Sequence, residues 1–315
     1  MTQNNQLRAH AALILAMLIW GSTFMAMKVV VTAISPMVVI FLRMVIGSVV
    51  FLLLWRWLRR GIQYRQGDWK YLAAMALFEP CLYFIFEGLA LKYTSAGQAG
   101  MVTAMLPLMV ALGAFVFLNE RISKRQLSGF LLAMAGVVWM TLGSVASEHA
   151  VNPWLGNFLE FLAMVCAMGY TLMMKHLTER FPAMFLTALQ SFIGAIFFLP
   201  LALASDWPTH ISASLWGVLL YLGVVVTLGG YGLFNYSLTY VKATVAVAYI
   251  NLLPAISLMY AMVFLGERMN LSQWIAVVVI FAGVYLSRGG AAEELQSDTK
   301  DDDPQAKDGI NPAVG

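Results

Sequence analysis

The stretch Ala96–Arg121, AGQAGMVTAMLPLMVALGAFVFLNER, returns later in the chain as Ala243–Arg268, ATVAVAYINLLPAISLMYAMVFLGER. Every anchor keeps one offset: 254 − 107 for the prolines and 267 − 120 for the glutamates both give 147. The register runs well beyond the stretch, matching Trp69 with Trp216, Tyr93 with Tyr240, Gln126 with Gln273 and Gly136 with Gly283. Apolar residues align by chance in any hydrophobic chain, but Trp, Pro, Glu-Arg and Gln do not align without a gap. The chain is an internal duplication, and its two halves must share one architecture.

What that architecture can be follows from composition. Hydrophobic residues make up 61% of the chain and charged residues 11%, against roughly 45–50% and 25% in soluble domains. With a mean hydropathy of +0.77, too little polar surface exists to cover a water-soluble globule. This is an integral membrane protein. A short polar N-terminus leads into an apolar run over 11–31, longer than a signal-peptide core and without a small-x-small cleavage site, so it reads as a retained span. Nine further runs follow at about 37–55, 69–91, 96–118, 126–143, 154–174, 182–204, 214–238, 244–265 and 272–287. Each is near the ~20 residues that cross about 30 Å of hydrocarbon. Helix is required, since an open strand would leave backbone donors unsatisfied in lipid.

Lys and Arg give the orientation. With the N-terminus inside, the inner segments hold Arg8, then Arg56, Arg59, Arg60, Arg65 and Lys70, then Arg121, Lys124 and Arg125, with Lys175, Arg180, Lys242, Arg288, Lys300 and Lys307 further on. The outer segments hold only Lys28, Lys92 and Arg268. Both termini are expected in the cytoplasm. Each repeat has an odd number of spans, so the second must lie upside down relative to the first. The fold expected is an all-α integral membrane protein of ten transmembrane helices, built as two inverted five-helix repeats over 11–143 and 154–288. Residues 289–315 carry Glu293, Glu294, Asp298, Asp301, Asp302, Asp303 and Asp308 without apolar periodicity, and read as a disordered acidic cytoplasmic tail.

Charges inside hydrocarbon are costly and each needs a reason. Arg43 sits in span two, Glu79 near the middle of span three and Glu87 about two turns further on. On a continuous helix the two glutamates would lie about 12 Å apart in height and about 80° apart in azimuth, with Arg43 at a depth between them. One reading is a structural Arg–Glu pair that ties spans two and three together. The other gives Arg43 the carboxylate of a substrate, leaving a glutamate to bind an amine or carry a proton. Gln190 is the repeat mate of Arg43, and the repeat places both on equivalent faces of a central cavity. Gln98, Asn235, Asn251, Tyr83, Tyr170, Tyr231 and Tyr249 complete the intramembrane polar set, as interhelical partners or ligand contacts. Glu160, near the start of span six, either faces an outer vestibule or snorkels to the interface, the second being favoured. Pro107 and Pro254 interrupt spans four and nine at matched points and mark hinges.

Several chemistries are excluded. Cys81 and Cys166 lie inside apolar runs and read as packing residues, and Met101, Met105 and Met109 fill space rather than bind metal. The histidines, His10, His149, His176 and His210, fall at span ends or joints, and no nucleophile elbow or Walker loop occurs. No metal site, cofactor or nucleic-acid partner is expected, and a membrane enzyme is the weaker class beside a carrier or channel.

Trp20-Gly21-Ser22-Thr23-Phe24 resembles the WGSSF-like signature of EamA-type proteins in the drug/metabolite transporter superfamily. Pro36 with Arg43, Tyr93-Thr94-Ser95-Ala96, Leu106-Pro107 with Glu120, and Gln126, Gly129 and Gly136 resemble that family too, and the second copy repeats them as Tyr240, Leu253-Pro254, Glu267, Gln273 and Gly283. The resemblance covers about 11–288. It implies a ten-helix basket with spans five and ten at the periphery, in the bacterial inner membrane. Apart from the resemblance, the chain is expected to work as monomer or homodimer. The resemblance further implies secondary transport, most often export, of amino acids or related small metabolites, with drugs or nucleosides as the alternative cargo. It places Trp20 and Arg43 on cavity-lining helices. The second copy departs from the pattern with Ala167-Met168 where the first has Trp20-Gly21, and the Glu79/Glu87 pair also stands outside it.

Overall fold

The computed structural model describes residues 3–58, 61–118, 122–178, 180–238, 240 and 249–301. A chain surrounded by lipid can satisfy its backbone only with itself. Among the described residues it does so as helix, apart from one isolated bridge between Ser147 and Ala150. The first half contains α1 (Gln3–Ala33), α2 (Pro36–Leu53), α3 (Trp55–Leu58), α4 (Asp68–Ala76), α5 (Tyr83–Tyr93), α6 (Ala96–Val102), α7 (Leu106–Leu118) and α8 (Lys124–Leu142). The second contains α9 (Pro153–Leu177), α10 (Ala183–Leu203), α11 (Ala213–Leu220), α12 (Tyr231–Leu238), α13 (Leu253–Phe264) and α14 (Leu271–Asp301).

Wide π-type turns join α4 to α5 over Leu77–Leu82 and α11 to α12 over Tyr221–Gly230, and a 3₁₀ turn over Thr103–Met105 joins α6 to α7. The two wide turns occupy repeat-related positions. Pro107 and Pro254 are also matched, each the second residue of its helix, where the missing N–H has no intrahelical partner to lose. Among the described residues, read through these joints, eight helical runs are long and apolar enough to cross a membrane, and Leu253–Phe264 and Leu271–Ser287 are apolar but shorter. Ten full-length spans were expected. The ninth is interrupted by a turn at Asn251 and Leu252; 244–248 lie outside the described residues, as do Glu120 and Arg121.

The recurrence of Gln126 and Gln273 has a local cause. The Gln126 amide donates to Ser123 Oγ at 3.1 Å while the Ser123 amide donates to Gln126 Oε1 at 2.8 Å, a reciprocal cap on the first turn of α8. At the repeat-related place Asn270 and Gln273 exchange the same two bonds, each 2.9 Å, and open α14. That helix continues past Arg288 to Asp301 through Ala291, Ala292, Glu293, Glu294 and Leu295, all good helix formers. The remainder of the acidic segment, 302–315, lies outside the described residues.

Helices in lipid associate by close packing rather than by escape from water, and small residues permit it. α8 and α14 meet through such residues. A Cβ on Gly129 would lie 2.6 Å from the Gly283 carbonyl oxygen, and one on Gly136 would lie 2.7 Å from Ile280 Cγ1. Gly129→Val is therefore expected to force these helices apart and cost about 1–3 kcal/mol, read as a lowered midpoint of thermal unfolding in detergent. The outward faces stay apolar, with Leu53, Phe117, Ile196, Val263 and Tyr285 largely exposed. Trp55, Trp69, Trp139, Trp154, Trp207, Trp216 and Trp274 are exposed near helix ends, where indoles suit the membrane interface. Among the tryptophans whose side chains are described, Trp20 differs in pointing inward.

Candidate functional site

The two repeats enclose a cavity of about 290 Å3. α1 contributes Trp20, Thr23 and Phe24, and α9 contributes their repeat mates Ala167, Tyr170 and Thr171. Arg43 and Met44 of α2 stand against Gln190 and Ser191 of α10 in the same relation. Leu106 and Leu253 are a further mated pair, one from each proline-led helix. The backbone positions are thus duplicated while the side chains are not. Arg43, Glu79 and Glu87 come from the first repeat, where the second has Gln190, Val226 and Phe234. All three charges in the cavity wall belong to one half.

The most unusual piece of backbone lies at Glu79. Proline disfavours helical geometry in the residue before it, and Glu79, preceding Pro80, is extended at φ −146°, ψ 118°. The run from Asp68 to Tyr93 is therefore broken at the level of the cavity, and the helical-wheel relation expected between Glu79 and Glu87 does not hold. The break releases the Glu79 carbonyl, which accepts a hydrogen bond from Gln190 Nε2 at 3.1 Å. Gly194 leaves room beside it for Pro80 and Met44. Gln190, singled out as the mate of Arg43, thus joins the second repeat to the broken helix of the first.

Arg43 is 7% exposed, with its guanidinium carbon 4.7 Å from the centroid of the Phe84 ring. Its Nε and Nη1 have no hydrogen-bond partner, and neither glutamate comes within ion-pair distance of it. Among the described residues the ion pair within 4.0 Å is Arg180 with Asp68. The Glu79 side chain is half-buried at the cavity wall. Tyr83 donates to Glu87 Oε1 at 2.8 Å, leaving Glu87 Oε2 unpartnered. Trp20 packs edge-on to Tyr231, centroids 5.1 Å apart, and lies 5.5 Å from Phe234. Gly230 makes this possible, since a Cβ there would collide with the indole. The large Trp20 therefore faces a glycine where its own repeat holds Tyr83.

Of the sequence candidates, Arg43, Glu79, Glu87, Trp20, Gln190 and Tyr83 meet at this one cavity. Asn251 instead lines a separate space of about 30 Å3 together with Pro107 and Pro254. The Asn235 side chain lies outside the described residues. Glu160 does not snorkel: it is 0% exposed and neither carboxylate oxygen has a hydrogen-bond partner. Lys28, counted among the outer charges, is 3% exposed and donates to the Leu91 and Thr94 carbonyls at 2.6 and 2.8 Å. The sequence reading missed the break at Glu79, although Pro80 signals it, and the cavity hydroxyls of Thr23, Thr187 and Thr227, which share apolar runs with the named residues.

A multi-pass, all-helical membrane protein whose two related halves line a mostly apolar, charge-bearing cavity has the form of a small-molecule transporter. The model of the EamA-like transporter family matches residues 7–142 and again 154–289, and the chain belongs to that family. An uncharacterized transporter of Archaeoglobus fulgidus is 28% identical over 283 residues, covering 89% of this chain and 97% of that one. A probable amino-acid metabolite efflux pump of Salmonella typhimurium is 32% identical over 215 residues, covering 65% and 71%. A solved crystal structure superposes with a TM-score of 0.61 at 20% identity, covering 89% of this chain and 96% of that one.

Proposed function

We propose that the protein is a secondary transporter that exports small carboxylate-bearing metabolites, amino acids foremost, across a bacterial inner membrane by alternating access. Ten spans in two inverted repeats would hold the cavity near the midplane, with both termini in the cytoplasm. The observation that carries the reading is Arg43, a buried guanidinium at the cavity with two unpartnered nitrogens. A buried charge without a partner is costly, and a planar fork of donors fits a carboxylate in two places at once. Glu79 and the rings of Trp20 and Tyr231 suit the ammonium group of the same ligand. The volume of about 290 Å3 lies at the lower end of the ~300–1,000 Å3 usual for ligand pockets, which favours metabolites over bulky drugs. The name of the Salmonella relative points the same way. Pro107 and Pro254, each at a matched break, would serve as the pivots.

The test is counterflow in proteoliposomes loaded in turn with neutral, aromatic and basic amino acids and with a nucleoside. Saturable exchange of one or more amino acids is expected, and none of the nucleoside. Exchange of the nucleoside alone would overturn the substrate assignment.

A further inference from the structure

Glu160 of α9 is the charged side chain that the transport reading leaves without a role. α5 and α9 run antiparallel and in tight register: the Asn152 amide donates to the Tyr93 carbonyl at 3.0 Å, and a Cβ on Gly156 would lie 3.0 Å from the Ala90 carbonyl oxygen. One turn further along α9 and one turn back along α5, that register brings Glu160 level with Glu87 and within its electrostatic reach. Glu160 is 0% and Glu87 3% exposed. Three of their four oxygens, both of Glu160 and Oε2 of Glu87, have no hydrogen-bond partner.

The surroundings decide what such a pair can hold. α5 brings Tyr83, whose hydroxyl occupies Glu87 Oε1, the break before it brings Glu79, and α2 brings the Arg43 charge towards Glu87. Cys166 and Tyr170 of α9 lie one or more turns on; of the ionisable groups of α4, Asp68 and Tyr71 are engaged at the far end of α9 with Arg180 and His176, and Lys70 is exposed beside the Trp69 ring. α6, α7 and the Thr103–Met105 turn carry no ionisable side chain, and α8 carries only Lys124 and Arg125 at its opposite end. Lys92, in the last turn of α5, is exposed, so among the described residues no cation stands beside Glu160. Two buried carboxyl groups within reach of each other cannot both ionise at tolerable cost, and a carboxylic acid donates where a carboxylate can only accept.

We propose that Glu87 and Glu160 form a proton-binding site, in which the carboxyl groups share one proton and hold the first repeat against the second. Glu87 belongs to the cavity wall and Glu160 lies behind it, so a proton enters and leaves through Glu87 by way of cavity water. Loss of that proton sets two like charges against each other across α5 and α9 and weakens the contact between repeats. The site stands on this geometry, and only its coupling to transport rests on the proposed function.

Two measurements on the full chain test it. Infrared spectroscopy of the purified protein at neutral pH should show a protonated-carboxyl C=O band that loses intensity in both Glu160→Gln and Glu160→Leu, the second filling the space without a polar group. Counterflow of the exchanged amino acid should change about tenfold between about pH 5 and pH 9 in the native protein. In Glu160→Gln it should continue but vary by no more than about twofold. An unchanged band in both variants, or the same pH profile in Glu160→Gln as in the native protein, would overturn the proposal. A band that disappears from a protein exchanging no amino acid would keep the proton site and remove the amino-acid reading.

Discussion

Arg43→Gln is expected to abolish exchange of carboxylate-bearing substrates while leaving the fold intact. Losing one partner of a buried charge pair costs about 2–5 kcal/mol, roughly 30-fold to several thousand-fold in Kd. Glutamine is what the second repeat already carries at the mated position, Gln190, so the replacement fits a backbone of this shape. The guanidinium nitrogens Nε and Nη1 make no hydrogen bond that the change would strip from a neighbour. A purely structural ion pair would behave in the opposite way, since breaking it lowers stability by about 3–5 kcal/mol. Counterflow and the thermal midpoint, measured together, separate the two: transport lost with the midpoint kept, or the midpoint lost first.

The second large effect is expected at Glu267, and it concerns stability. Its carboxylate accepts from the Ala96 amide at 2.8 Å and the Gly97 amide at 2.9 Å, so that the end of the second repeat's proline-broken span caps a helix of the first. It is 7% exposed, with the buried Lys28 nearby adding favourable charge. Hydrogen bonds to a charged group are worth about 1.5–3 kcal/mol each. Glu267→Ala should therefore cost about 3 kcal/mol or more, and Glu267→Gln, whose single carbonyl oxygen can keep one bond, about half as much. Thermal unfolding in detergent measures both. Equal midpoints for the native protein and Glu267→Ala would show that the cap contributes nothing.

Much of this organisation was legible because duplication and hydrophobicity are properties of the string. The offset between copies pairs Arg43 with Gln190 and Pro107 with Pro254, and the structure brings the first pair to one cavity and sets the second at matched breaks. The same offset matched Gln126 with Gln273 without revealing that both close a capping box, because the cap depends on Ser123 and Asn270, which differ between copies. Glu79 was misplaced because a continuous helix was assumed through Pro80, and a wheel drawn across a break relates residues that no longer share an axis. Glu160 was misread for another reason. Depth along a span is readable from the sequence, but which neighbour covers a side chain is not, and α5 closes over Glu160 where an interface was expected. The same limit hid the role of Glu267, whose partners lie 170 and 171 residues away in sequence.

Equilibrium binding to the purified protein tests the central claim most directly, using three forms of one exchanged amino acid: the parent compound, its carboxamide and its decarboxylated amine. If Arg43 receives the carboxylate, the parent binds, both analogues bind at least about 30-fold more weakly, and Arg43→Gln brings the parent down to their level. If the carboxamide or the amine binds as tightly as the parent, Arg43 is not the carboxylate site and the assignment of the cavity is wrong.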